Sequence, residues 1–170
     1  EINLQAAECY VNNLKNHPEA DSIRAYLSER GISEDICETF QIGFAPKGWD
    51  NLLNHFNKIL PEELKEEDAG LFKISEKNNK RYDTYRNRIM FPIKSKRNQI
   101  IGFGARIIDP EDNPKYLNSA ESDIFKKGRE LYGLNEILNS KHKPNKIIAV
   151  EGYTDVLSLF SNNINYAVAT

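Results

Sequence analysis

The sequence predicts an α/β protein in which a mixed α+β part is followed by the start of a parallel α/β unit. Three patterns support this fold class. Apolar residues recur at helical spacing near the N-terminus, two strand-like runs follow at 88–93 and 99–108, and an apolar run at 146–150 leads into a helix and a further strand. Strand, helix and strand in this order form one half of a parallel unit.

Residues 1–40 are predicted to form three helices. The first keeps helical spacing until His17 and Pro18, the second is closed by Gly31, and Ser33 is placed to cap a short third one. The predicted apolar face of the first helix consists of Leu4, Ala7, Val11 and Leu14. We expect these helices to serve packing. His17 and His55 have no second ligand type at metal-binding spacing, so we expect no chemistry from them.

Residues 41–80 alternate between short strands and helices. A strand at 41–45 precedes a helix that Asp50 can cap and that runs to Ile59. A second helix is expected between Pro61 and Gly70, and a strand at 71–74. The polar loop at 75–80 shows no core residues, and we interpret it as the boundary of the first segment.

The runs at 88–93 and 99–108 predict a β-hairpin joined by a charged turn. Pro92 cannot donate to a sheet ladder, so its strand is expected at an edge or with a bulge. Gly102 and Gly104 lie two residues apart on one face, where a ligand or backbone could approach closely. Arg86, Arg88 and Arg106 are expected to line that cleared surface.

Composition and charge limit the classes of function. The chain has 170 residues, with 39% hydrophobic and 28% charged residues, and no apolar run approaches the ~20 residues of a membrane helix. No signal peptide is recognisable, and Cys9 and Cys37 lack zinc-site spacing. These features predict a cytoplasmic protein that makes no membrane contact and whose two thiols are reduced and half-buried in the core.

The net charge of −2 is distributed unevenly. Residues 1–79 carry 8 Lys and Arg against 15 Asp and Glu, a net of −7, whereas residues 80–129 carry 12 against 6, a net of +6. A basic block of this kind predicts a polyanion partner, although a charge run also fits a solvated face. Within it, the polar stretch 114–133 contains Lys115, Tyr116, Lys127 and Arg129, and either partner binding or a solvated loop fits that stretch.

Glu151 ends the strand at 146–150, which its continuous apolar residues predict to be buried on both faces. Ligands of open α/β sheets bind at the carboxyl ends of strands, so Glu151 is a candidate catalytic acid. It could equally cap the helix that follows Gly152. Asp155 lies one helical turn later and could face the same way, or pair with a nearby Lys or Arg.

Five blocks occur in the order in which they stand in the catalytic core of bacterial DnaG-type DNA primases, and the chain resembles that family. The blocks are YRNRIMFPI at 85–93, IGFGAR at 101–106, KYLNS at 115–119, KGRELYG at 127–133 and VEGYTDV at 150–156. The resemblance implies an N-terminal subdomain, divided here into an acidic helical segment 1–79 and a basic segment 80–133, followed by a truncated Toprim subdomain at 134–170.

The same resemblance implies an RNA polymerase that makes short primers on a single-stranded DNA template from nucleoside triphosphates. Glu151 matches the metal-binding Glu of Toprim sites, which hold Mg²⁺ or Mn²⁺. The Asp pair of such sites would lie beyond Thr170, and the zinc-binding domain and the region that contacts the replicative helicase would lie outside this sequence. We therefore expect a fragment that is inactive alone.

The site residues follow as a hypothesis. Glu151 would hold metal or take a proton, with Asp155 beside it. Lys115, Tyr116, Lys127 and Arg129 would hold the nucleotide, and Arg86, Arg88 and Arg106 the template. Two alternatives stay open: another Toprim enzyme, such as a nuclease or a topoisomerase with Tyr116 or Tyr153 as nucleophile, and a non-catalytic nucleic-acid-binding module related to primases of mobile elements.

Overall fold

The computed structural model describes residues 1–59 and 70–170, and the helix expected between Pro61 and Gly70 lies outside them apart from Gly70 itself. The helices are α1 (Ile2–Asn16), α2 (Ala20–Glu29), α3 (Glu34–Thr39), α4 (Asn51–Ile59), α5 (Leu134–Asn139) and α6 (Tyr153–Ser161). The strands are β1 (Gly43–Ala45), β2 (Phe72–Ile74), β3 (Arg81–Asp83), β4 (Arg88–Lys94), β5 (Ile100–Ile107), β6 (Tyr116–Asn118), β7 (Ile148–Val150) and β8 (Ala167–Ala169). The predicted α/β fold class is confirmed.

The centre of the fold is an antiparallel sheet with strand order β1-β4-β5-β6. The predicted hairpin is its middle pair, β4 and β5, with a bulge between Ile93 and Lys94. The bulge near Pro92 was predicted, but the edge alternative is wrong for the strand as a whole, since β4 pairs on both sides. Strand β1 reaches only from Arg88 to Met90, so no β1 residue stands opposite Pro92 and its missing N–H breaks no ladder there.

Each face of this sheet carries a hydrophobic core. One face presents Phe44, Ile89, Phe91 and Ile93 to residues of α2, α3 and α6. The other presents Met90, Phe103 and Ala105 to residues of α1 and α4. The first core draws residues from all three predicted segments, and the second from two of them. The division at residues 79 and 133 stays a prediction from sequence.

Helix α1 packs on the sheet with a face rotated from the predicted one. Leu4 is 45% exposed and Val11 is only half-buried, whereas the buried residues are Asn3, Ala6, Ala7, Cys9, Tyr10 and Leu14. The missing side chain of Gly43 lets the helix approach closely, because a Cβ at this position of β1 would lie 2.4 Å from Tyr10 Cβ. Close approach, rather than the larger aliphatic residues, decides which face is buried.

The N-terminus of α4 is capped from a distant strand. Asp83 of β3 accepts hydrogen bonds from the N–H groups of Leu52 at 2.8 Å and Leu53 at 3.0 Å. The predicted cap, Asp50, precedes the helix, but these donors bond the carboxylate of Asp83. Burial raises the pKa of Asp83 to about 6, although the two N–H groups act in the opposite direction.

Strands β2 and β3 pair antiparallel, and the polar loop 75–80 is the turn between them. The paired strands therefore lie on either side of the predicted segment boundary.

Two further capping predictions concern α2 and α3. Gly31 follows α2 with a φ of +70°, as predicted. Ser33 precedes α3 as predicted, yet its side chain contacts Ser161 of α6 instead of capping the helix.

Strands β7 and β8 pair in parallel with α6 as the crossover, which confirms the predicted strand, helix and strand. The prediction that β7 is buried on both faces is wrong: Ala149 is exposed and Ile148 and Val150 are half-buried. Within the part of the chain that the structure describes, β8 is the one strand that pairs with β7. Residue Tyr132 ties the pair to the preceding segment through a bridge to Ala169.

The two cysteines and the lengths of the helices bear on the expectations from composition. Cys9 is buried and Cys37 half-buried, both are free thiols, and burial raises the pKa of each to about 11. They are therefore poor nucleophiles at neutral pH. Within residues 1–59 and 70–170, none of the helices has the length and apolar character needed to span a bilayer.

Candidate active site and nucleic-acid interface

Glu151 lies at the carboxyl end of β7 and is exposed to solvent. Gly152, half-buried and extended, is the N-cap of α6, and the helix has no side-chain cap hydrogen bond. The alternative in which Glu151 serves only to cap this helix therefore finds no supporting hydrogen bond. An exposed carboxylate at the end of a parallel strand is free to contact a ligand.

Asp155 lies in the first turn of α6 and is also exposed. Its Oδ2 would lie 3.0 Å from a Cβ at Gly152, so the carboxylate folds back over the turn that follows Glu151. The ion pairs found in the described residues do not involve Asp155, which leaves the predicted pairing with Lys or Arg without support. Both acids are thus exposed at one turn.

These two acids do not by themselves form a closed metal site. In the described parts of the chain, no three His, Cys, Asp or Glu side chains are grouped so that they could enclose a metal ion. Glu151 and Asp155 offer the hard oxygen ligands that Mg²⁺ prefers, and Mg²⁺ often takes only one or two carboxylates together with phosphate oxygens. The donor set fits part of such a site.

Tyr153 connects the Glu151 turn to the central sheet. Its ring lies on Gly104 of β5, and its hydroxyl donates a hydrogen bond of 3.1 Å to Asn118 of β6. The space that Gly104 leaves open is therefore filled from within the protein and not by a ligand. Burial raises the pKa of Tyr153 to about 12. Because its ring packs on Gly104 and its hydroxyl is bonded to Asn118, the topoisomerase alternative loses one of its two candidates.

A ladder of cations and aromatic rings crosses the same face of the sheet. Arg106 donates a hydrogen bond of 2.9 Å to the hydroxyl of Tyr116, and its guanidinium also lies 5.5 Å from the ring of Tyr26 in α2. Lys115 lies 5.9 Å from the ring of Tyr116, and Arg30 lies 4.8 Å from the ring of Tyr26. Such stacked pairs hold guanidinium and ammonium groups in fixed positions at the surface.

Lys127 and Arg129 lie in a short 3₁₀ turn and are both exposed. The N–H of Lys127 donates to Glu121 at 3.2 Å, which fixes the turn. Lys127 also borders a small cavity together with Tyr153 and Thr170. Of the two cations, Lys127 is therefore the one that shares a cavity with Tyr153, two residues after Glu151.

The three arginines predicted to share one surface are divided by the sheet. Cross-strand pairs point to the same face, and Arg88 is paired with Ile107 whereas Arg106 is paired with Ile89. Arg88 and Arg106 therefore project from opposite faces, and the prediction of a common surface is wrong for them. Gly102, which was expected to clear that surface, is covered by Ser119 and Phe125.

Arg86 and Arg88 instead line a second cleft of about 500 Å³, away from Arg106. Arg88 is only 6% exposed, and its Nη1 has no hydrogen-bond partner. Burial lowers the pKa of Arg88, and the nearby carboxylate of Asp112 acts against that shift. The guanidinium of Arg86 lies 4.1 Å from the ring of Trp49, which is 62% exposed.

Sequence reasoning did not identify Trp49, Tyr26 or Arg30 as candidate binding residues. Tyr26 carried the helical pattern of α2 and was therefore assigned to packing, although Arg30 follows it at the i,i+4 spacing at which helical side chains meet. The single Trp of the sequence follows a turn, and its exposure is not encoded in any periodicity. A Trp in a loop beside a basic block is the signal that could have identified it.

A family model and curated relatives both show similarity between this chain and one protein family. The family model described as DNA primase catalytic core, N-terminal domain, matches residues 9–138. A DNA primase of Salmonella typhimurium is 48% identical over 154 residues, which is 91% of this chain and 26% of that protein. The chain thus spans about a quarter of the length of such curated relatives.

Solved structures of proteins similar in sequence also superpose on this chain. A DNA primase domain from Pseudomonas aeruginosa superposes with a TM-score of 0.89 at 45% identity, and the match covers 99% of this chain and 52% of that one. A DnaG primase catalytic domain solved with bound single-stranded DNA superposes with a TM-score of 0.86 at 44% identity, over 99% and 54% of the two chains.

Proposed function

Because this chain belongs to the DNA primase catalytic core family through its N-terminal domain, we propose that it is part of an enzyme that makes short RNA primers on single-stranded DNA. In that reaction a 3'-hydroxyl attacks the α-phosphate of a nucleoside triphosphate and pyrophosphate leaves. The observation that carries the proposal is the hydrogen bond from Tyr153 to Asn118, because it holds β6 beside the turn that presents Glu151.

Glu151 is the proposed metal ligand, with Asp155 one turn later. Mg²⁺ or Mn²⁺, when bound, neutralises phosphate charge and orients the reacting groups. Both residues are exposed, and the carboxylate of Asp155 folds back over the turn that follows Glu151, which supports this role. The remaining ligands are proposed to come from parts of the enzyme outside this chain, which spans about a quarter of its curated relatives.

Lys115, Tyr116 and Lys127 are the proposed nucleotide contacts, with Arg129 beside Lys127 at the rim. The hydrogen bond between Arg106 and Tyr116 supports moving Arg106 from the template group to this nucleotide group. A ladder of fixed cations around one exposed Tyr suits a triphosphate with an adjoining base, because the cations meet the phosphates and the ring stacks. Arg30 and Tyr26 extend the ladder on the far side of Arg106.

Arg86, Arg88 and Trp49 are the proposed template contacts. Arg86 and Arg88 both line the cleft, and a phosphate in it would be attracted by their two guanidinium charges. Trp49 offers a stacking surface for an unpaired base, which is how proteins bind single strands without reading their sequence. The relative solved with single-stranded DNA supports a template of this kind.

The rest of the proposed setting follows from primer synthesis. Nucleoside triphosphates are the substrates, the replicative helicase is a partner through a region outside this chain, and the enzyme works in the cytoplasm, where the bacterial chromosome is copied. Zn²⁺ is proposed only for a domain that lies outside this chain.

Primer synthesis by the full-length enzyme tests the proposal. We expect Glu151→Gln to lower the rate by roughly 10²–10³-fold while single-stranded DNA still binds, because the variant keeps the fold and removes the charge. Lys115→Ala should raise the KM for nucleotides, and Arg86→Ala should weaken template binding. Glu8→Gln, at an exposed position on α1, is the matched control and should behave as the wild type. Full activity of Glu151→Gln would overturn the assignment.

A further inference from the structure

Trp49 is held in a fixed position although most of its ring faces solvent. Arg86 stacks over the ring at 4.1 Å, and Tyr82 meets it edge-to-face at 5.4 Å. The carbonyl of Trp49 accepts a hydrogen bond of 2.7 Å from the N–H of Asp83. A large aromatic surface that stays exposed and rigid is typical of a binding surface, because packing would otherwise cover it.

A further cleft of about 740 Å³ opens on the other side of Trp49. Trp49 and Tyr82 line both this cleft and the one that contains Arg86 and Arg88, so the two clefts share a wall. The β2–β3 hairpin forms the outer side of this 740 Å³ cleft. Its charged lining residues are Lys77, Lys80 and Arg81 against Asp50 and Glu76, and Ile74 is 59% exposed beside them.

The hairpin presents its lysines from a defined turn. The N–H of Ser75 donates to the carbonyl of Lys80 at 2.9 Å, and the N–H of Asn79 donates to the carbonyl of Ser75 at 2.8 Å. At its base, Phe72 is buried against Phe56 and Asp83 caps α4. The turn is therefore anchored to the core while Lys77 and Lys80 remain exposed.

We propose that the β2–β3 hairpin is a second contact for the single-stranded template, reached by nucleotides that leave the Arg86–Arg88 cleft across Trp49. Lys77 and Lys80 contact backbone phosphates, and Ile74 lies against a base or sugar. The occupant is single-stranded because a base can stack on Trp49 only when it is unpaired. This inference rests on the proposed template site and adds to it a longer footprint.

The test compares oligothymidylates of about 4 and about 16 nucleotides, the range of single-strand site sizes, on the full-length enzyme. Binding is followed by fluorescence anisotropy over a series of salt concentrations. Lys77→Ala with Lys80→Ala should leave the short oligonucleotide unaffected and weaken the long one. A plot of log affinity against log salt has a negative slope, and this slope should become less steep by about 1.4 in the variant. Each phosphate contact on a single strand contributes about 0.7, and the variant removes two.

Lys96→Ala with Arg97→Ala is the matched control, because it removes two exposed cations from the turn of the β4–β5 hairpin, at the opposite end of β4 from Arg88. The control should bind both lengths as the wild type does. An unchanged salt slope in the Lys77 and Lys80 variant, or an equal loss in the control, would overturn the hairpin contact.

A separate variant distinguishes this inference from the template site on which it rests. Trp49→Ala should weaken the short oligonucleotide, and an unchanged affinity there would remove the Trp49 cleft itself from the template path. Loss of the short oligonucleotide in the hairpin variant would overturn the two-contact arrangement, because the lysines would then belong to the first cleft.

Discussion

The ring of Tyr153 lies directly on the backbone of Gly104, so close that a Cβ at position 104 would come within 2.2 Å of Cε2. Gly104 belongs to the central antiparallel sheet, and Tyr153 opens the helix that follows Glu151. The contact therefore fixes the height of the Glu151 turn above the sheet. Glycine is required here for space and not for a positive φ.

Gly104→Ala should disturb this junction, because the methyl group and the ring cannot occupy the same space. We expect the free energy of unfolding to decrease by roughly 1–3 kcal/mol, as for overpacked cores, in urea denaturation. Gly128→Ala is the control: a Cβ there meets no atom within 4 Å, so its unfolding curve should match the wild type. Equal stability of both variants would show that the ring moves away at no cost.

Tyr153→Phe should keep the ring on Gly104 and remove the hydrogen bond to Asn118. The expected cost is about 1 kcal/mol, the usual net contribution of one such bond. A double-mutant cycle with Asn118→Ala measures the coupling, which should be about 0.5–1.5 kcal/mol. In the full-length enzyme the same substitution should raise the nucleotide KM. Additive stability effects would mean that the two side chains do not interact.

The ion pair between Lys94 and Glu136 is a buried junction between β4 and α5. Their side chains are each 9% exposed and 3.0 Å apart, and Lys94 also donates to the carbonyl of Thr39. Removing one partner leaves a buried charge alone, so Glu136→Leu should lower the free energy of unfolding by about 3–5 kcal/mol. Lys94→Met with Glu136→Leu should recover most of that loss.

An exposed pair in the same chain is the control for this measurement. Lys15 and Glu38 are 2.8 Å apart but 55% and 65% exposed, so solvent screens them. Glu38→Gln should cost no more than about 1 kcal/mol in the same urea titration. A similar cost for the two single variants would contradict the importance of burial at Lys94.

Asp83 makes stability depend on pH in an unusual direction for an acid. Its pKa in the fold is about 6 against an ordinary 3.8, so between these values the folded protein binds the proton that the unfolded chain releases. Its contribution to stability is therefore largest below pH 4 and is lost as pH rises through 6. Over that interval the loss is on the order of 3 kcal/mol.

Comparison with Asp83→Asn isolates this effect, because the Asn keeps an oxygen acceptor for α4 and does not titrate. The difference in unfolding free energy between wild type and variant, from urea denaturation at pH 4, 5, 6 and 7, should shift against the wild type as pH rises. A constant difference, or a shift in favour of the wild type, would contradict the raised pKa.

Local patterns in the sequence were sufficient to predict that α1 to α3, the β4–β5 hairpin and the β7-α6-β8 unit exist, because each signal lies within one element or its turn. The separation of Arg88 from Arg106 was not accessible in this way. The bulge between Ile93 and Lys94 shifts the pairing by one residue, and a one-residue shift exchanges the faces. Spacing along the chain cannot reveal such a shift.

Contacts between distant residues account for the other differences. The cap of α4 comes from Asp83, which lies 31 residues after Leu52 and accepts a hydrogen bond from its N–H. The ring that covers Gly104 belongs to Tyr153 in α6, the crossover helix between β7 and β8. In both cases the sequence shows a residue that needs a partner, and only tertiary packing selects which one it is. The exposed Glu151 was predictable because strand ends are local features.

The isolated chain should bind Mg²⁺ weakly and make no primers. Glu151 and Asp155 are exposed, and the described residues provide no third ligand near them, while Mg²⁺ loses its water reluctantly. Isothermal titration with Mg²⁺ should therefore give no saturation in the micromolar range, and an assay with template, Mg²⁺ and nucleoside triphosphates should give no product. Single-stranded DNA should still bind, because Trp49, Arg86 and Arg88 are all present. A template-dependent RNA product from this chain alone would refute a catalytic site divided between it and the rest of the enzyme.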